Sequence, residues 1–416
     1  MKKFNKLKKP KLSVYLLILF IFVSCFYGKF DITRGFQFFP DVAYAESEEA
    51  QELEEQLTEE VDKQLSNLDF SSIENILSGI SEDAKELFSS GSFLDKVNSV
   101  ISGEYADSSE SFFSAVTSIF WKGLKNFLPI MASIISIAIL GGMISNLKPA
   151  TNEKSVGNII HFVTYGVVII FLGTTLVQII STTSTTLTTI KNLFDQIFPI
   201  LLTLLTAIGG TVSVSIYQPA IALLSNLIVS LITYILLPLF IFSIVFSLVG
   251  NLSNNVKLDK FVSFLQGTFK WTIGLCFTIF LGFFSIQGIM AGAFDGLSIR
   301  TAKYAIKSYI PIVGGYVSDG LSIIMASSML IKNAVGGVGL FLLLSTVLSP
   351  VINLVVFVLL LKFMAGLIEP IGDKKIANFI SDMSKSLSML VALLVAVSFM
   401  YLVLTGLVMC SANLVI

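Results

Sequence analysis

Residues Gln196 to Val256 read QIFPILLTLLTAIGGTVSVSIYQPAIALLSNLIVSLITYILLPLFIFSIVFSLVGNLSNNV, 61 residues without one charged side chain. A helix needs about 20 apolar residues to cross a bilayer. As one helix this run would be about 90 Å long, too long for two straight spans without breaks. Gly209-Gly210, Pro219 and Pro238 offer the breaks, and the run predicts two or three spans.

Other charge-free runs lie to either side. Asn126 to Leu147 fits one span between Lys125 and Lys148. Ser155 to Ile190 predicts a span over Val156 to Ile180, then a polar loop in the Ser/Thr tract Ser181 to Thr189. Trp271 to Phe294 gives another. Asn333 to Leu361 reads as broken near Pro350, and Ser386 to the C-terminus supplies the last. The expected fold is therefore all-α: a polytopic helical membrane protein with about seven spans, six to nine allowed. Composition agrees, with 54% hydrophobic and 13% charged residues and a mean hydropathy of +0.84. Soluble domains carry about 25% charged residues.

Charge divides the chain. Glu46 to Glu110 holds 18 acids and three bases, whereas the 306 residues from Ser111 onward hold eight acids. Three domains follow as expectations: a signal peptide over 1–45, an acidic exported helical segment over 46–118, and a multi-spanning domain over 119–416. The signal is a basic start (Lys2 to Lys11), an apolar stretch Leu12 to Tyr27 and an Ala43-Tyr44-Ala45 cleavage site. An uncleaved anchor and lipidation at Cys25 stay open, and all three export residue 46 onward. In the acidic segment Leu53, Leu57, Val61, Leu65 and Leu68 form a narrow helical stripe. Ser71 and Glu74 have capping-box spacing, and Leu94, Val97, Val100 and Ile101 predict a further helix. These thin stripes fit either a solvated spacer or a docking face for a partner chain or the membrane.

Interfacial helices are expected at Leu258, Phe261, Val262, Leu265 and Phe269, with Lys257, Asp259, Lys260 and Lys270 on the other face. Trp121 with Lys122 and Lys125 reads as an anchor before the first span. Lys148 and Lys154 place the first loop in the cytoplasm, and the side of the C-terminus stays open.

Charges within the apolar region are the candidate functional residues. Asp295, Arg300, Thr301, Lys303, Asp319, Lys332 and Asn333 fall within forty residues, near Lys307, Pro311 and Gly314-Gly315. Charge at membrane depth is expensive and tends to be paired or to line a wet path. Two readings stand: a surface loop with an interfacial helix, or a broken element lining a pore or an oligomer contact. No phosphate loop, H-E-x-x-H, G-x-S-x-G or C-x-x-C motif occurs, and His161 is the one histidine. The expectation is a protein that is not an enzyme and binds neither metal nor cofactor.

The stretches TIFLGFFSIQG (278–288), DGLSIRTAKY (295–304), PIVGGYVSDG (311–320) and SSMLIKNAVGG (327–337) closely resemble the stage III sporulation protein AE family of endospore-forming bacteria. So do Phe198 to Leu202, Ala207 to Gly210 and Tyr234 to Leu239. The resemblance implies a polytopic channel or export-platform subunit of a transenvelope complex, in the mother-cell membrane around the forespore. It implies partners as well: other stage III sporulation A proteins, including an ATPase and ring-forming subunits, and indirectly stage II sporulation protein Q. The bilayer is a further partner, nucleic acid is not expected, and a homo-oligomer is open. A stand-alone solute permease and a membrane scaffold without its own conduit are the competing readings. The family brings no catalytic residues to carry over.

Overall fold

A computed structural model describes residues 48–88, 91–103, 109–146, 154–252, 258–309 and 314–411. The signal peptide, Cys25 and Pro311 lie outside the described residues. Among those described, every element is a helix. Four short helices come first: α1 (Glu48–Ser66), α2 (Ser71–Gly79), α3 (Glu82–Phe88) and α4 (Phe93–Ile101). Long helices follow: α5 (Ser109–Asn146), α6 (Lys154–Ala207) and α7 (Thr211–Leu231). A π-helical turn (Ile232–Leu236) joins α7 to α8 (Leu237–Leu252). Then come α9 (Asp259–Tyr309), α10 (Gly314–Ile368) and α11 (Lys374–Cys410).

Among the described residues, six stretches are long and apolar enough to span a membrane: 112–144, 159–207, 211–252, 259–284, 317–368 and 374–410. The count sits at the lower end of the expected range because only one break divides the charge-free run. That break is Gly209-Gly210. Gly210 N donates to Leu205 O (2.8 Å) and Gly209 N to Thr206 O (2.9 Å), with Gly209 at φ +95°. This is the Schellman ending of a helix, which needs a residue in the left-handed region. Pro238 does not break the chain. It lacks the N–H that would reach Tyr234 O, and the helix widens to π spacing just before it, Leu237 N donating to Ile232 O.

Two expected interruptions are corrected. Ser181 to Thr189 is not a loop but lies in the middle of α6. Its hydroxyls donate back to their own helix, Thr186 to Thr182 O (2.8 Å), Thr188 to Ser184 O (3.1 Å) and Thr189 to Thr185 O (3.0 Å). A polar tract satisfied in this way can stay helical among apolar neighbours. Pro350 likewise sits inside the unbroken α10. The residues read as an interfacial helix form, from Asp259 to Phe269, the first turns of the 51-residue α9, with Leu258 just before it.

From Gln56 onward the chain forms one compact unit. Within it α10 is central, with no exposed residue from Met325 to Val358. One end of the bundle gathers the start of α6 and α11 with the end of α8. There His161 meets Asp373, and Tyr165 OH donates to Leu248 O at 2.8 Å. The other end gathers the Gly209 turn, Asp295, Lys332 and Ser411.

The acidic helices pack on the long ones. Val61, Leu65, Phe70, Ile73, Leu77, Phe88, Phe93 and Val97 are buried in the same core. Gln64 Nε2 donates to Ser327 Oγ (2.9 Å), and Lys122 Nζ donates to Asp83 (3.1 Å) and Glu86 (2.9 Å). Glu74 does not close a capping box on Ser71. Its Oε1 accepts from Phe93 N (2.6 Å) and Leu94 N (3.3 Å), capping α4 from a distance. The capping box is at Ser92 and Asp95, on α4 itself.

Candidate functional site

The N-terminus of α7 follows Gly210, which has no side chain to cap it. Its first amides would be orphaned in an apolar bundle. Asp295 of α9 fills the gap. Its Oδ1 accepts from Val212 N (3.0 Å), its Oδ2 accepts from Ser213 N (3.2 Å), and none of it is exposed. A carboxylate there also meets the positive end of the helix dipole.

Lys332 is the opposite case. It is fully buried on α10, and its Nζ donates to Ser411 O (2.6 Å) at the C-terminal cap of α11. A cation there meets the negative end of a helix. Tyr217 OH lies 3.3 Å from Ser411 Oγ. Tyr217 stands on α7, the helix that Asp295 caps. Each of the two buried charges is thus met by a helix end, Asp295 at the start of α7 and Lys332 at the end of α11.

The seven candidate residues do not converge. Asp295 and Lys332 are inside the bundle, and Asn333 is half-buried with an unpartnered Oδ1. Arg300, Thr301 and Asp319 are exposed and Lys303 is half-buried. Thr301 Oγ1 donates to Leu297 O (2.8 Å) of its own helix.

The sequence reading missed the polar face of α6. From Gln178 to Ala207 its exposed residues are Gln178, Ser181, Thr182, Ser184, Thr185, Thr188, Asn192, Asp195, Gln196, Pro199, Thr203, Thr206 and Ala207. No large apolar side chain is among them. The earlier half of the helix exposes Ile159, Phe162, Val163, Ile170, Phe171 and Val177. Asp195 pairs with Lys191 at 2.6 Å on the same helix. A cavity of about 30 Å³, lined by Ser184, Thr188, Thr233 and Tyr401, lies where this face meets the π turn; it has room for one or two waters. The signal was present in the sequence as the 181–189 tract, whose four-and-three spacing continues to Asn192 and Asp195.

At the opposite end His161 Nδ1–H donates to Asp373 Oδ2 (2.5 Å), and Asp373 Oδ1 caps α11 by accepting from Lys375 N (2.8 Å). Burial pushes the Asp373 carboxyl up, but these hydrogen bonds outweigh it and hold the group below its ordinary value. Nε2 of His161 is buried without a partner.

Six apolar helices, with buried charges seated on helix ends, define a polytopic helical membrane protein. The chain belongs to the stage III sporulation protein AE family, whose model matches residues 92–412. It is 26% identical over 314 residues to the stage III sporulation protein AE of Bacillus subtilis (strain 168), covering 76% of this chain and 79% of that one. No solved structure matches it. Its role is in sporulation.

Proposed function

We propose that this chain is a non-enzymatic channel or export-platform subunit of a transenvelope complex, set in the mother-cell membrane around the forespore. The observation that carries this reading is the half of α6 that exposes no large apolar side chain. A face of that kind is unsuited to lipid, which favours a wet or protein-covered surface within the membrane region. Its partners are other stage III sporulation A proteins, among them an ATPase and ring-forming subunits, with stage II sporulation protein Q reached indirectly. Sidedness follows from charge. Lys154, Lys260, Lys374 and Lys375 lie in the first turns of the three helices that start at one end, which makes that end cytoplasmic. Six spans then put the acidic segment and Ser411 together outside.

A solute permease has less support. The helix N-terminus that an anionic substrate would seek is filled by Asp295.

The test is a deletion strain complemented with the wild-type chain or with Thr185→Trp and Thr188→Trp, following a late forespore reporter. The expected result is loss of reporter activity in the deletion and in the tryptophan variants, at unchanged protein level. Normal spores from the deletion would end the proposal. Normal reporter activity in the tryptophan variants would move the role to a scaffold.

A further inference from the structure

The polar face of α6 is unlike both surfaces a membrane protein ordinarily shows. It is too polar for lipid and carries too little charge for bulk water, since a water-facing surface holds about 25–35% charged residues. On α9, Trp271, Leu275, Ile279, Phe283 and Ile286 are all exposed, which is a lipid-facing row. Asp295 of α9 and Gly209 after α6 mark the same level, because Asp295 caps α7 and Ile299 packs on Gly209. Trp271 precedes Asp295 by as many residues as Thr185 precedes Gly209, so both lie about 36 Å from the turn. At one level along the bundle, then, α9 presents an apolar row and α6 a polar one.

The spacing of the polar row fits a second helix lying along it. Thr174, Gln178, Ser181, Thr185, Thr188, Asn192 and Asp195 are all exposed. They recur by four and three residues in strict alternation. That is the 3.5-residue period of a seam between two helices that wrap each other. In membranes such seams are made by small and polar residues hydrogen-bonding across helices. Hydroxyl and amide side chains both donate and accept, so this face complements itself. Its one acid is neutralised within the chain by Lys191. Copies inserted in one membrane share one orientation, so identical seams meet in register.

We propose that the α6 face from Thr174 to Asp195 packs against the same face of a second copy of this chain, parallel and in register. This deepens the channel reading and rests on it for the function of the contact, though not for its existence.

The test uses the full chain in sporulating cells, with the three native cysteines replaced by serine and single cysteines at positions 174, 181, 185, 188 and 192. Controls are Ile279→Cys and Phe283→Cys on the apolar row and Leu187→Cys in the core. Oxidation is expected to give disulfide-linked dimers at the seam positions and none at the controls. Absence of dimers at every seam position, with free labelling there by a membrane-impermeant thiol reagent, would overturn the proposal. Equal dimer formation at Ile279→Cys would overturn it too, as random collision. Seam dimers in cells whose forespores develop normally despite Thr185→Trp would leave the copy contact standing and remove the conduit. Loss of forespore development in Thr185→Trp, without any seam dimer, would keep the conduit and remove this contact.

Discussion

Two helices of this bundle, α6 and α9, come together at the Gly209 turn, where Ile299 packs on Gly209, and expose opposite chemistry. α9 shows Trp271, Leu275, Ile279, Phe283 and Ile286 to its surroundings, and α6 shows Thr, Ser, Gln and Asn over the same length. Their buried sides are alike. Ile190, Leu193, Ile197 and Leu201 of α6 are as enclosed as Phe269, Phe280 and Phe284 of α9. The difference is confined to what faces outward, so it reflects surroundings and not folding. Length supports this. α6 has 54 residues and α9 has 51, about 81 and 77 Å, against a hydrocarbon layer of about 30 Å. Helices this long extend beyond the hydrocarbon layer.

The comparison breaks most sharply under an added charge. Ile279→Lys on the apolar row is expected to cost about 2.5–3.5 kcal/mol of membrane insertion and to lower the amount of membrane-integrated chain severalfold. Thr185→Lys on the polar row is expected to leave that amount unchanged while abolishing any α6–α6 disulfide in the cysteine assay. Equal losses of integrated protein would mean that both rows face lipid.

The next largest effect concerns the turn that fixes the two helices relative to each other. Asp295→Ala strips the acceptor from the Val212 and Ser213 amides. It is expected to cost about 1–3 kcal/mol, read as a lower Tm of the detergent-solubilised protein. Asp295→Asn keeps one acceptor oxygen and is expected to lose less. No shift in either variant would mean that the α7 amides find another partner.

A smaller effect is expected at Gly209. Its φ of +95° is strained for any L side chain, and an added Cβ would lie 2.8 Å from Ile299 Cγ1. Gly209→Ala is expected to cost about 1–2 kcal/mol for the left-handed conformation alone. Ile299→Ala added to it should restore only the part due to the clash. Full rescue by Ile299→Ala would mean that the backbone relaxes out of the left-handed region.

These residues also mark what the sequence could and could not reveal. Gly209-Gly210 was legible because a glycine pair inside an apolar run has few other uses. The spans were legible because lipid demands long runs of one kind. The Ser/Thr tract was misread because hydropathy does not register a hydroxyl bonded to the carbonyl one turn back. Pro350 was misread because a proline inside a long apolar helix costs one hydrogen bond but need not end it. Asp295 stood out as a charge, but its role depends on Val212, 83 residues away, and no local pattern encodes that pairing. Glu74 failed for the same reason, since its partners lie at Phe93 and Leu94 and not at Ser71.

The smallest effect is expected at the lysine-rich end, remote from the region where the two rows diverge. Asp373 caps α11 and accepts from His161, and losing a cap of this kind costs about 1 kcal/mol. Its carboxyl is held below the ordinary value of 3.8. A carboxylate with a depressed folded pKa stabilises fully above its unfolded value, and that contribution fades as pH falls through the lower folded one. The Tm of the wild type should therefore carry an Asp373 contribution above about pH 4 that shrinks in stronger acid. Asp373→Asn should lower Tm at neutral pH and converge with the wild type in acid. It should also leave the α6 seam disulfides intact, because its contact with α6 is at His161, well before the seam begins at Thr174. A change in seam crosslinking in Asp373→Asn would show that the two ends of the bundle are coupled. The outward difference between α6 and α9 would then depend on how the whole bundle is held, and not on the local sequence of each face.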